Sequence, residues 1–530
     1  MTILGTEGPV FVAPYRPDQG GTDFLGLRQV NVDLMDECLP GFNNVSSYVR
    51  PFSVISWIYW KFYHLSAAAH IELPEYGQLQ AWQEKAEILF TWGHILHGVR
   101  GIPGTDSRPP KAGGVQLDFE SWNRIPTSTS LMAAVQYGPA AKISDGLGFI
   151  EPVPEARGMF RTTGLGIDLA EGLEGSLSGR DTRKLLGTLV RATGTENDAR
   201  KLFPGWSILT PTKKEKTAFR LAFFDTTATD STEALGRRSS TLRLILFALE
   251  HAKRPLSVDE VRFSVFHNSG RRKATGNGQS ELSWHRWIAL QVRQAQRLAM
   301  EAILFWVEER LNRARDRETG TMIKKALEVR GQHAAILPAG SNVNDVRKGL
   351  FPRMPVSLDA LLASSERNGD HCLFELMSRI LATVGDNTDE SLLLALRILY
   401  ICAEFTDALE KQETVTGLLR YGGPERISLV YWRDFLRRCA TVRFDEFLRL
   451  VFEQYVISQH LSVAARRFDG GTQRLRITIE EEGLTPLIAT PLPLRVTPDR
   501  LATALSLMSD CNMIKRSADG TFASTKRSVG

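Results

Sequence analysis

The sequence predicts a mainly α, multi-domain fold with small β-hairpins of winged-helix-like modules. Three observations predict it. The chain has 530 residues, 43% hydrophobic and 24% charged, enough for about three or four domains of ordinary size. Apolar residues recur at helical spacing between breaks rich in Pro and Gly. An order of helix, short strand, turn and strand occurs twice.

Residues 1–115 read as an N-terminal helical domain. Residues 1–21 form an extended arm without a basic stretch followed by an apolar run, so no secretory signal is expected. A short helix over 33–39 stops at Pro40-Gly41. The next helix carries Phe52, Ile55, Trp57, Ile58, Trp60 and Phe62, apolar nearly all round, and so belongs in a core. That run is too short to span a bilayer and Lys61 closes it. A further helix covers 78–97.

Residues 116–180 read as a winged-helix-like module. Helices are expected over 131–137 and 140–147. Strands follow around Phe149-Ile150 and Phe160-Arg161-Thr162, and then a helix from Leu165. Residues 181–330 form a basic helical domain. It holds helices over 240–251 and 258–266, a flexible basic loop at 268–280, and a long helix over 283–317 crowded with arginines. Residues 331–420 are a helical segment. Residues 421–530 add helix over 431–468, a strand over 473–480 and a second winged-helix-like module. In that module a helix over 500–509 precedes Asn512-Met513-Ile514, a turn at Ala518-Asp519-Gly520, and Thr521-Phe522-Ala523.

Charge is concentrated. Residues 181–330 hold 28 Lys/Arg against 17 Asp/Glu, an excess of +11 in a chain whose net charge is +5. Such a region suits a polyanion, because neutralised phosphates release counterions. The expected nucleic-acid-binding residues are Lys213, Lys214, Lys216, Arg237, Arg238, Arg271, Arg272 and Lys273, with Lys515 and Arg516 at the C-terminal hairpin. A solvated face, or a dock for an acidic protein, is the competing reading.

The sequence carries no P-loop, HExxH zinc helix or GxSxG nucleophile elbow. His94 and His97 with Glu87 share a helix face that could hold a metal, though a partly buried helix with two polar histidines explains them better. Asp118 and Glu120 could bind a divalent ion in a nuclease, or face solvent. Gly164-Leu165-Gly166 lacks the strand and acid of a dinucleotide loop. The five cysteines lie far apart, which fits reduced thiols in a cytoplasmic protein. No metal or cofactor is therefore expected.

Phe24-Leu25-Gly26-Leu27-Arg28, Leu39-Pro40-Gly41-Phe42-Asn43-Asn44-Val45, Arg50-Pro51-Phe52-Ser53 and Trp57-Ile58-Tyr59-Trp60 form a recognisable opening. It resembles that of large bacterial proteins found among anti-phage defence and restriction genes. The resemblance implies a bacterial protein in a multi-component defence system acting on DNA. The expectation is a non-enzymatic DNA-binding or DNA-sensing subunit with DNA and protein partners and no membrane. The alternatives are a protein-interaction scaffold that recruits an effector through its winged-helix modules, and a divergent metal-dependent nuclease.

Overall fold

The computed structural model describes residues 23–71, 75–107, 109, 114–154, 156–177, 183–224, 233–267, 278–314, 316–329, 341–351, 357–367, 371–383, 388–412, 415–468, 474–489 and 494–525. It is mainly helical, and its strands form only two-stranded antiparallel hairpins and pairs. The chain divides into two compact units. One comprises Met1–Asp33 and Ala289–Thr497, the other Leu34–Ile288 and Pro498–Gly530. Each unit is therefore assembled from stretches distant in sequence. No described helix is long and apolar enough to cross a membrane. All five cysteines are free and buried.

The unit built on Leu34–Ile288 is organised by the Val49–Ala68 helix, buried along most of its length as its all-round apolar pattern requires. Phe52 packs edge-on against Tyr137, Phe149 and Phe219. Trp57 meets Trp82 of the Tyr76–Leu96 helix, and Trp82 Nε1 donates to Ile58 O at 2.9 Å. Arg50, fully buried, pairs with Glu215 at 3.3 Å and donates to Gly205 O and Thr210 O. Arg50, Phe52 and Trp57 thus serve packing.

Two expected helices are not formed as read. Over 131–137 the chain turns instead. Leu131 N–H goes to the Glu87 carboxylate, Gly138 N–H closes onto Leu131 O, and a Cβ at Gly138 would lie 2.4 Å from Met132 O. Over 140–147 only Gly138–Ala141 is helical. Leu147 N–H and Phe149 N–H then return to Ala140 O and Ala141 O, with Gly148 at φ +84°. The hairpin follows as expected, Ile150–Pro152 against Phe160–Thr162, and leads into the Gly164–Leu177 helix. Gly166 sits where a Cβ would strike Phe149 O, so close packing explains this glycine, while a Cβ at Gly164 would meet open space.

The C-terminal stretch of this unit contains the Leu501–Asp510 helix and an antiparallel hairpin, Ile514–Arg516 with Phe522–Ser524. Gly520, at φ +82°, makes the turn. Leu256 and Phe522 form an isolated antiparallel bridge beside the hairpin. Leu256 follows the Glu233–Glu250 helix and precedes Val258–Phe266, whose N-cap Ser257 accepts from Glu260 N–H in a capping box.

In the other unit, Thr388–Glu410 is buried along most of its length and packs with Leu373–Thr383 and Leu429–Arg438. The helix expected over 431–468 is broken. Leu429–Arg438 ends at a turn, Phe444–Leu450 restarts, and a π-helical stretch Val451–Ser458 leads to Gln459–Arg466. The strand expected over 473–480 is Ile477–Glu480, paired with Gly483–Pro486; Ile477 is buried and Ile479 exposed. Arg293 and Arg297, two of the arginines that crowd the long helix, are buried. Arg293 donates to Arg426 O and Ile427 O at 2.7 and 2.5 Å, and Arg297 pairs with Glu301 at 2.8 Å.

Candidate nucleic-acid interface

The Lys213–Phe223 helix begins with a capping box. Thr212 Oγ1 accepts from Glu215 N–H, and the Glu215 carboxylate accepts from Thr212 N–H at 2.5 Å. Glu215, Ala218, Phe219, Ala222 and Phe223 form its buried face. Lys213, Lys216 and Arg220, spaced i, i+3 and i+7, share another face.

Arg220 Nη2 donates to Cys511 O at 3.0 Å, at the C-terminal end of the Leu501–Asp510 helix, where a cation is favoured. Asp510, the last residue of that helix, accepts from Val49 N–H at 3.2 Å. Burial pushes its carboxyl up to about 6, while Val49 N–H and the charges of Lys216 and Arg516 pull the other way. Arg516, on the first hairpin strand, also lies over the Phe522 ring at 5.8 Å. Lys515 beside it is exposed. Lys216 and Arg516 therefore lie near the carboxylate of Asp510 and Arg220 at the adjoining Cys511 O, though helix and hairpin are distant in sequence; Lys213 shares the helix face of Lys216 and Arg220, and Lys515 precedes Arg516 on the strand.

The other expected basic residues have different fates. Lys214 pairs with Asp168 at 3.3 Å and with Glu171. Arg237 pairs with Glu233 at 2.7 Å and Glu37 at 3.7 Å. Arg238 is buried and donates to Ala222 O and Pro40 O, both at 2.9 Å, and burial lowers it to about 10. A Cβ at Gly41 would lie 2.7 Å from its Nη1, which accounts for glycine after Pro40. Neighbouring Arg254 and Arg262 pair with Glu260 and with Asp499 and Asp259. Arg271, Arg272 and Lys273 lie outside the described residues, as does the whole arm, residues 1–21. Sequence reasoning missed Arg220. The i, i+7 spacing from Lys213 was the available signal.

A cleft of about 260 Å³ opens beside this patch, lined by Arg220, Leu221, Phe224, Leu246, Glu250, Met513, Ser524 and Thr525. In the other unit a cavity of about 120 Å³ is lined by Arg347, Tyr400, Glu404, Asp407, Arg433 and Arg437 among others. Its charges are internally matched. Arg433 pairs with Asp407 at 2.9 Å, Asp434 at 2.8 Å and Glu410; Arg437 pairs with Asp407 at 2.7 Å.

The metal-site alternatives have structural explanations. His94 Nδ1 lies 2.7 Å from Phe90 O and its Nε2 accepts from Ile208 N–H at 3.1 Å, and burial lowers it to about 4. His97 stacks on Phe203. Glu87 accepts from Ser130 Oγ and Leu131 N–H and faces Arg124 at 3.6 Å. Asp118 accepts from Ser121 N–H at 2.7 Å. Among the described residues no group of three His, Cys, Asp or Glu side chains could hold a metal ion. No protein-family model, no curated protein and no solved structure matches the chain.

Proposed function

We propose that this chain is a non-enzymatic, nucleic-acid-binding subunit of a bacterial anti-phage defence complex in the cytoplasm, and that it grips the phosphate backbone through Lys213, Lys216, Arg220, Lys515 and Arg516. The observation that carries the reading is the convergence of the Lys213–Phe223 helix and the C-terminal hairpin around Asp510. Clustered cations supply sequence-independent affinity by counterion release. The defence setting is supported by the family resemblance of residues 24–60.

The winged-helix reading is supported most by one set of elements. Glu233–Glu250, Leu256, Val258–Phe266, Leu501–Asp510 and the two hairpin strands follow winged-helix order, with the Leu256–Phe522 bridge at the position of a third strand. The chain between the second and third helices of this module is then an insertion. In this reading the hairpin, rather than the Leu501–Asp510 helix of the module, meets the backbone, because that helix carries no Lys or Arg and exposes only Ala502 fully.

That burial also favours a second reading, a scaffold whose module holds a protein partner. Binding of labelled DNA by the full chain, measured by fluorescence anisotropy across a salt series, separates the two. The first reading expects log affinity to fall linearly with log salt and to weaken on Lys213→Glu plus Lys515→Glu. Absent or salt-independent binding, with co-purification of an effector, supports the scaffold.

A further inference from the structure

The cleft beside the basic patch has a composition that phosphate contacts leave unexplained. Leu221, Phe224, Leu246 and Met513 give it apolar walls and one aromatic ring. Leu221 is 40% exposed, a large apolar side chain left at a wet surface. Glu250, Ser524 and Thr525 add polar groups to the same walls. Arg220 stands at both places, with its guanidinium fixed by Cys511 O. Lys213 and Lys216 precede it on one helix, and Lys515 and Arg516 follow Met513 on the strand.

A backbone held by these cations passes the mouth of an apolar slot. Paired bases in a duplex cannot enter such a slot, since their faces are stacked and their edges lie in the grooves. An unstacked base can, with its face on Phe224 and the aliphatic walls and its exocyclic amine donating to a carboxylate such as Glu250. The Leu501–Asp510 helix is buried where a duplex reader would offer a free one.

We propose that the bound form is single-stranded, and that this cleft receives one unstacked nucleobase while Lys213, Lys216, Arg220, Lys515 and Arg516 hold the flanking phosphates. The proposal rests on the nucleic-acid reading above. Stacking of one base on an aromatic side chain is worth about five- to 150-fold in affinity.

The test uses the full chain with a fluorescein-labelled 20-nucleotide single strand and the duplex of the same sequence. The expected result is single-strand affinity at least tenfold above duplex affinity. Phe224→Leu, which keeps apolar bulk and removes the aromatic face, is expected to cost at least fivefold for the single strand and nothing for the duplex. Ser524→Leu, which fills the slot from the strand side, should do the same if Phe224→Leu fails to fold. Equal or tighter duplex binding, or single-strand binding indifferent to both variants, overturns the cleft assignment and leaves backbone binding standing. No binding of either probe at low salt overturns both.

Discussion

Leu256 and Phe522 exchange both backbone hydrogen bonds, Leu256 N–H to Phe522 O at 2.8 Å and Phe522 N–H to Leu256 O at 2.7 Å. Each bond joins the start of the Val258–Phe266 helix to the return strand of a hairpin near the end of the sequence. Phe522 is 2% exposed. Replacing it with Ala removes a buried ring, and a cost of about 3–5 kcal/mol is expected. Urea unfolding of the full chain checks this.

Arg50 and Glu215 form a fully buried ion pair. Glu215→Gln strands the Arg50 charge and is expected to destabilise by about 3–5 kcal/mol. Combining it with Arg50→Met removes the stranded charge. The double variant is expected to regain part of the loss in the same unfolding measurement, although Gly205 O and Thr210 O then lose their donor.

Arg238 and Lys213 separate structure from binding. Arg238→Ala orphans buried carbonyl groups and is expected to cost about 2 kcal/mol or more of stability, with no change in the salt dependence of DNA binding. Lys213→Glu is expected to leave the unfolding midpoint within error. It should flatten the plot of log affinity against log salt by about 0.7–0.9, because one phosphate is no longer neutralised. Thermal scans and anisotropy titrations distinguish the two outcomes.

Asp510 sets a pH dependence. Its folded pKa of about 6 lies above the ordinary carboxylate value, so the native state binds the proton more readily than the unfolded chain. The group therefore adds stability as pH falls from about 6 towards 4, and costs stability at neutral pH. Asp510→Asn is expected to stabilise at pH 7 by about 1–2 kcal/mol and to abolish that contribution. It should also tighten nucleic-acid binding at pH 7, since it removes the carboxylate within the patch. His94 acts in the opposite sense. With its pKa lowered to about 4, it withdraws stability between about 6.5 and 4, so the comparison with Asp510→Asn is what isolates the carboxyl.

Local periodicity made the helices legible. The all-round apolar Val49–Ala68 helix is central, and the Asp519-Gly520 signal marks the hairpin. The turn at 131–138 was not legible, because the buried Glu87 carboxylate, distant in sequence, takes the Leu131 N–H that a helix would need. The interface was legible in part. Lys216 and Arg516 both lie near Asp510, but Arg238 reads as a cation in sequence and is buried against carbonyls of three separate segments. A charge excess counts side chains. It does not reveal which acids fold beside them, as Glu171 does for Lys214 and Glu37 for Arg237.

The split of one unit across the chain fixes when it can be completed during synthesis. Leu34–Ile288 leaves the ribosome long before Pro498–Gly530, and translating the intervening Ala289–Thr497 takes on the order of 10–40 s. Through that interval the nascent polypeptide lacks Phe522 and the Leu501–Asp510 helix. It therefore leaves exposed the apolar surface that these elements cover, until Pro498–Gly530 has emerged.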